Sequence, residues 1–166
     1  MLTVWIHHRL SISVRLHSEV TRYLSEQRQI HRRDTEAGGP LFSNVPGQDF
    51  EVDSCAGPFS RDRRTRHGYI PHRPSVQEEI ESRHTIGQHF IGTWHTHPSL
   101  RATASEPDVR SIRNLFEKSV HDLNLFVMII VGTDPVPSSW EVSAFGNFGR
   151  IVLTPTEHLT QLNGEK

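Results

Sequence analysis

The residues with the clearest potential for chemistry are two histidines separated by one position, His95 and His97, followed directly by Pro98. Side chains at positions i and i+2 of a strand point to the same side, so both imidazoles would face one point. Neutral imidazole is a preferred ligand of zinc, at about 2.0–2.1 Å. Pro98 lacks the backbone N–H that a neighbouring strand would need, so the strand ends just past the second histidine. This spacing predicts part of a metal site at the end of a strand.

A third ligand is available downstream, where Ser105 and Asp108 open a segment with helical spacing. The helix dipole favours a carboxylate in the first turn, and Asp108 would complete a His-His-Asp set. Three protein ligands leave a fourth tetrahedral position open for water, which is typical of catalytic zinc. We therefore predict one Zn²⁺ ion, held by His95, His97 and Asp108.

The alternative is that Ser-x-x-Asp is an ordinary helix-capping pattern, in which Asp108 only accepts a backbone hydrogen bond. Capping and chemistry are compatible for Ser105, and we favour the ligand role for Asp108 because two histidines need a third partner. With 12 histidines in 166 residues, a bare His-x-His is expected by chance roughly once. Requiring the proline, serine and aspartate at their offsets lowers that expectation to roughly one in a thousand.

The pattern from His95 to Asp108 resembles the JAMM motif of JAB/MPN-domain metalloproteases. That motif also includes an upstream glutamate on a strand, and Glu36-Ala37-Gly38-Gly39 resembles this opening. The resemblance implies that Glu36 is the general base and acid, taking a proton from the attacking water and passing it to the leaving amine. It implies that Ser105 donates to the tetrahedral oxyanion. A solvated turn glutamate is the alternative for Glu36.

Two further segments are similar to bacterial JAB-domain deconjugating peptidases of CBASS antiphage operons and integrative or conjugative elements. They are residues 92–98 and residues 57–64. The resemblance covers residues 33–132, with two departures: Pro40 inside the strand after Glu36, and no Gly-Asp after Pro98. Pro40 leaves the strand pairing there open.

This resemblance implies a zinc isopeptidase that cleaves a ubiquitin-like protein from a target in an antiviral conjugation pathway. The expected partners are the conjugate or its target and a bacterial E1/E2-like enzyme system, with a nucleotide-second-messenger synthase as one such target. Alternatives are a JAB peptidase acting on sulfur-carrier proteins or cell-wall peptides, and a non-catalytic MPN scaffold. The full set of Glu36 and three ligands argues against the scaffold.

Composition narrows the class of protein further. The formal net charge is −1 and the pI about 6.9, so the protein as a whole has no positive electrostatic field that would attract nucleic acid. We therefore expect no nucleic acid as a partner. The basic segment 61–73 is expected to be an irregular solvated loop or a contact for a protein substrate. Cys55 is the only cysteine, which fits a reducing compartment and a packing role. Without a long apolar run, we expect a cytoplasmic protein that does not enter a membrane.

The elements that would position these residues follow from periodicity. Predicted helices, the first two capped by Ser18 and Ser75, begin at residues 18, 75 and 105. Predicted strands cover residues 2–14 (one or two strands), 38–43, 49–53, 90–96, 125–131, 140–145 and 151–153. The segments 38–43 and 49–53 are expected to pair, and 125–131 is expected to be a central strand buried on both faces. Together they predict a single α+β domain of the MPN/JAB type over residues 1–153, with a curved, mostly antiparallel sheet, about three helices, and a tail at 154–166.

Overall fold

The computed structural model describes residues 2–47 and 49–156, and this part of the chain forms twelve strands and three α-helices. The helices are α1 (Ser18–Glu26), α2 (Arg73–Thr85) and α3 (Glu106–Lys118). The strands are β1 (Thr3–His7), β2 (Ile12–Leu16), β3 (Gly38–Ser43), β4 (Asp49–Val52), β5 (Ser54–Cys55), β6 (Arg63–Thr65), β7 (Gly68–Ile70), β8 (His89–Thr96), β9 (Leu125–Val131), β10 (Glu141–Gly146), β11 (Gly149–Val152) and β12 (Thr154–Pro155).

These strands form two sheets and one separate hairpin. The first sheet has the order β12-β1-β2-β4, and the second has the order β11-β10-β9-β8-β3-β5. The hairpin consists of β6 and β7. Most pairs are antiparallel, and the parallel pairs are β2 with β4 and β8 with β9. The predicted α+β class with a mostly antiparallel sheet and three helices is confirmed.

The second sheet is buried on both sides around β9, as its apolar sequence predicts. Leu125, Val127 and Ile129 pack into the core between the two sheets, where Trp5 stacks on Trp140 with ring centroids 6.2 Å apart. Phe126 and its neighbours at even positions pack instead against α3. Alternate side chains of a strand point to opposite faces, so a continuous apolar run is the pattern of a strand covered twice.

The pairing predicted between segments 38–43 and 49–53 is wrong. β4 pairs in parallel with β2 in the first sheet, whereas β3 pairs with β8 and with the short β5 in the second. The chain changes sheets at Asp53, whose N–H donates to the carbonyl of Phe42 at 2.9 Å. Local turn residues suggested a hairpin, but burial of both strands in different sheets determined the pairing. Pro40 is accommodated in β3 opposite Thr93.

Two of the predicted helix caps need correction. α1 begins at Ser18 as predicted, but its N-cap residue is His17 rather than Ser18, and His17 makes no side-chain capping bond. At α2 the cap is His72, whose ring accepts the N–H of Ser75, so the helix begins at Arg73, two residues early. The imidazole replaces the expected serine oxygen as the first-turn acceptor. The basic segment is also more regular than expected, because it contains the hairpin of β6 and β7.

Gly92 allows β8 to lie close to β9. A β-carbon at Gly92 would lie 1.8 Å from the carbonyl oxygen of Val127, and the backbone φ is +150°. We expect Gly92→Ala to lower the free energy of unfolding by about 2–4 kcal/mol, because both the contact and the backbone resist a side chain. Urea denaturation measures this, with Gly47→Ala as the control, since no heavy atom beyond Gly47 and its two neighbours in the chain lies within 4 Å of the position of its added carbon. Equal stabilities for the two variants would contradict the prediction.

The boundary between the domain and its tail stays a prediction. Thr154 and Pro155 form β12 against β1, with Trp5 opposite Pro155, while residues 157–166 of the predicted tail lie outside the described residues. No helix within residues 2–47 and 49–156 is long and apolar enough to cross a membrane.

Candidate metal centre and active site

Strand β8 holds the two histidines in place from both sides. It lies between β3 and β9, with His95 opposite Gly38 on one side and opposite Ile130 on the other. The Nε2 atoms of His95 and His97 lie 3.2 Å apart. The backbone N–H of His97 donates to the carbonyl of Val131 at 3.0 Å, so even the residue past the end of the strand is fixed. The two imidazoles therefore face one point, as their spacing on a strand predicts.

The third side chain comes from the start of α3. Asp108 Oδ1 lies 3.2 Å from His95 Nε2, and Oδ2 lies 3.3 Å from His97 Nε2. The same carboxylate accepts the backbone N–H of Ser105 at 2.7 Å, and Ser105 Oγ accepts the N–H of Asp108 at 3.2 Å. Asp108 is therefore a capping residue and also faces both imidazoles, so the two alternatives weighed for it coexist.

The donor set fits a zinc ion. One nitrogen from each histidine and one oxygen of Asp108 lie within 4.8 Å of one another, and all three side chains are less than a fifth exposed. Four ligands placed tetrahedrally at zinc bond lengths are about 3.3 Å apart, and the two histidine Nε2 atoms lie 3.2 Å apart. Each histidine is also within 3.3 Å of one oxygen of Asp108, His95 of Oδ1 and His97 of Oδ2. Although burial alone would raise it, the pKa of Asp108 is held well below its usual range by hydrogen bonds from the two histidines, so it stays ionised.

Glu36 precedes β3 on the same face of the sheet. The N–H of Thr96 donates to the carbonyl of Ala37 at 2.9 Å, which extends the antiparallel register beyond Gly38 opposite His95. Continuing that register sets Glu36 opposite His97, and directly opposed residues share a face. Glu36 is 7% exposed. Burial is the largest influence on its pKa and raises it, while the charges of the two site histidines oppose this.

The hairpin of β6 and β7 holds the backbone of Glu36. The N–H of Glu36 donates to the carbonyl of Thr65 at 2.8 Å, and Arg64 Nε donates to the carbonyl of Glu36 at 2.6 Å. Arg66 Nη1 donates to the carbonyls of His31 and Arg32 at 3.0 and 3.1 Å. Two arginines of the basic segment thus hydrogen-bond to backbone carbonyls at and before Glu36, although Arg64 is exposed and Arg66 is only partly buried. Sequence inspection missed this role, because charge clustering does not show which arginines bond to the backbone.

The remaining candidate, Ser105, is exposed at the N-terminus of α3. Its oxygen accepts a backbone hydrogen bond, which leaves the hydroxyl proton free for another acceptor. The structure therefore brings His95, His97 and Asp108 into contact, sets Glu36 opposite His97, and places Ser105 one helical turn before Asp108.

A second group of potential ligands has a simpler explanation. His17 Nε2 lies 3.3 Å from a carboxylate oxygen of Glu51 and 3.3 Å from one of Asp53. The parallel pairing of β2 and β4 also sets Arg15 opposite Glu51 and Ser13 opposite Asp49. The group extends this row of cross-strand polar pairs on a half-exposed face, so we assign it to ion pairing.

Two other residues near the site have packing roles, as was expected for Cys55. Trp94 is fully buried, and its indole N–H donates to the carbonyl of Ala56 at 2.9 Å. Cys55 of β5 lies opposite Leu41 of β3. Burial raises the pKa of the Cys55 thiol to about 12. A thiol that stays protonated near neutral pH is a poor nucleophile, so Cys55 is not a catalytic candidate.

Comparison with known proteins identifies the family and agrees with the fold. The family model of prokaryotic homologs of the JAB domain matches residues 17–143. A protein named CD-NTase/cGAS isopeptidase from Escherichia coli is 30% identical over 123 residues, 72% of this chain and 69% of that protein. A Vibrio cholerae protein of the same name is 34% identical over 116 residues, which are 67% of this chain and 70% of that protein.

A solution structure of a Desulfitobacterium hafniense protein has the same fold, with a TM-score of 0.59 at 17% identity over 82% of this chain and 87% of that one. The family model covers well over half of the chain and includes Glu36, His95, His97, Ser105 and Asp108. The chain belongs to the prokaryotic JAB-domain family.

Proposed function

We propose that this chain is a zinc-dependent isopeptidase that separates a ubiquitin-like or similarly conjugated protein from its target. The observation that carries the proposal is the convergence of two imidazoles and one carboxylate beside a buried glutamate. A set of three protein ligands with one open position suits hydrolysis more than structural zinc binding. The presence of Glu36 beside these three ligands argues against a non-catalytic scaffold, because a scaffold does not need a general base.

In this proposal each residue has one task. Zinc held by His95, His97 and Asp108 would supply a Lewis acid that polarises the scissile carbonyl and makes water a stronger nucleophile. Glu36 accepts the proton of the attacking water and delivers it to the leaving amine. Its burial supports this role, because a carboxylate with a raised pKa holds a proton more readily between the two transfers.

Ser105 stabilises the negative charge that develops on the substrate carbonyl oxygen. Its hydroxyl oxygen is already an acceptor in the helix cap, so its proton is available for donation. The cap also fixes the hydroxyl before substrate arrives, which is the condition under which a donor stabilises a transition state most. The N-terminus of α3 adds the positive end of its dipole at the same place.

The substrate class is proposed from the names of the two relatives. Both are isopeptidases named for CD-NTase/cGAS, so we propose that a nucleotidyltransferase conjugate is the substrate. A bacterial E1/E2-like enzyme system would make that conjugate, in an antiphage pathway of the CBASS type. Other JAB peptidase activities, on sulfur-carrier proteins or cell-wall peptides, would use the same residues.

The proposal is tested with two fluorescent substrates of the same sequence. In one, the two peptides are joined through a lysine Nε isopeptide bond; in the other, they are joined through an ordinary peptide bond. We also offer a purified CD-NTase conjugate. Cleavage of the isopeptide bond that stops with 1,10-phenanthroline and returns with zinc supports the proposal.

The competing activities give different results in the same assay. The enzyme could cleave short cell-wall or sulfur-carrier peptides but neither the isopeptide-linked peptide nor the CD-NTase conjugate. That result would assign the chain to the alternative class of JAB peptidases. Binding of the CD-NTase conjugate without cleavage under any zinc condition would support a scaffold and refute the enzyme.

A further inference from the structure

We propose that Gln29 is a positioning residue that fixes the general base relative to the metal ligands. The inference rests on the proposed role of Glu36. Gln29 lies beyond the end of α1 and is 1% exposed. It belongs to neither the ligand set nor the JAMM-like motif, yet its carboxamide contacts the segment before Glu36, the hairpin of β6 and β7, and the strand of the two histidines.

Every polar atom of this side chain has a partner. Nε2 donates to the carbonyl of Arg66 at 2.9 Å and to the carbonyl of Asp34 at 3.3 Å. Oε1 accepts the hydroxyl of Thr96 at 2.9 Å. Arg66 lies in the turn of the hairpin, Asp34 lies two residues before Glu36, and Thr96 lies between His95 and His97. A buried amide satisfied by three separate segments locks their relative positions.

Thr96 extends the connection to the other side of Glu36. It is fully buried, and its Oγ1 accepts the backbone N–H of Ala37 at 3.0 Å while donating to Gln29. One hydroxyl therefore links the residue after Glu36 to the strand of the metal ligands. Because Gln29 also bonds Asp34, the backbone is held on both sides of the base.

The hairpin completes the arrangement. Its Arg64 and Thr65 bond the carbonyl and the N–H of Glu36, and Gln29 in turn bonds the adjacent Arg66. Gln29 thus acts on Glu36 through three routes: Asp34, Thr96 with Ala37, and the hairpin. The metal ligands are fixed separately, by pairing of β8 with β3 and β9 and by the cap of α3.

This separation predicts which kinetic quantity changes. Gln29→Met keeps an unbranched side chain of similar length and removes all three hydrogen bonds. A displacement of about 1 Å in a catalytic group can cost about 10²-fold in rate. We expect kcat on the isopeptide-linked peptide to fall about 10-fold or more, while KM and zinc content stay near wild type.

Thr96 offers an independent pair of variants. Thr96→Val keeps the shape and removes the hydroxyl, so kcat should fall as in Gln29→Met. Thr96→Ser restores the hydroxyl and should restore most of the kcat. If Gln29→Met fails to fold, this pair still decides the proposal, because equal kcat for the Val and Ser variants would overturn it.

A double variant separates positioning from general stability. If Gln29 acts through Glu36, Gln29→Met should lower kcat in the wild-type background and cause no further loss in a Glu36→Gln background. An equal loss in both backgrounds, or a loss that follows zinc content or melting temperature, would overturn the proposal. A fully active Glu36→Gln variant would instead refute the general-base role itself, whereas an inactive Glu36→Gln beside a fully active Gln29→Met would refute only the role of Gln29.

Discussion

Replacing Glu36 with glutamine is expected to lower kcat by roughly 10²-fold or more while the protein keeps one zinc per chain. Glutamine has nearly the same size, and both backbone hydrogen bonds of residue 36 use main-chain atoms that the change leaves in place. The amide cannot take up a proton near neutral pH, so the transfer from water to the leaving amine is lost. The three ligands are untouched, which is why metal content should not change.

The measurement is kcat and KM on the isopeptide-linked peptide, together with zinc per chain by elemental analysis. Glu106→Gln is the matched control, because the Glu106 side chain is 86% exposed at the start of α3. Its kcat should equal that of the wild type. A Glu36→Gln variant as active as this control would leave Glu36 without a chemical role.

Replacing His95 with alanine is expected to abolish both zinc binding and activity. The remaining His97 and Asp108 offer two ligands, too few to hold zinc at a catalytic site. A Lewis acid contributes several kcal/mol to lowering the barrier, so kcat should fall by about 10³-fold or more. Folding should persist, because β8 is paired on both sides by backbone hydrogen bonds that do not involve the imidazole.

The control for this variant is His84→Ala, which removes an exposed histidine from α2. Zinc is removed from each protein with a chelator, then restored, and activity is followed. The wild type and the His84 variant should recover, and His95→Ala should not. Full zinc content in His95→Ala would exclude this ligand set.

The convergence of the three proposed metal ligands was predictable from sequence because it depends on simple geometry. His95 and His97 need only a strand to face one point, and Asp108 needs only a helix that begins nearby. Strand β9 was equally predictable, since a run of seven apolar residues rich in β-branched side chains is typical of a strand buried on both faces. Such patterns depend on periodicity within one element.

The features that escaped prediction depend on contacts between distant segments. The partner of β4 was decided by which sheet could bury it, a choice that the turn residues between β3 and β4 do not encode. Gln29 belongs to no motif in the sequence, and only the folded chain brings it to Thr96, 67 residues away. Arg64 likewise looked like one cation among several until the hairpin placed it on Glu36.

Under the proposed function, the double use of Asp108 has a consequence for metal loading. Its carboxylate closes the cap of α3 through Ser105, and strand pairing holds the backbone of His95, so these contacts position both residues within the fold. We therefore expect zinc to bind to a chain that is already folded, in contrast to zinc fingers, whose folding is coupled to metal binding. In cells short of zinc we expect the protein to accumulate in a folded but inactive form. A later rise in zinc would then activate it without new protein synthesis.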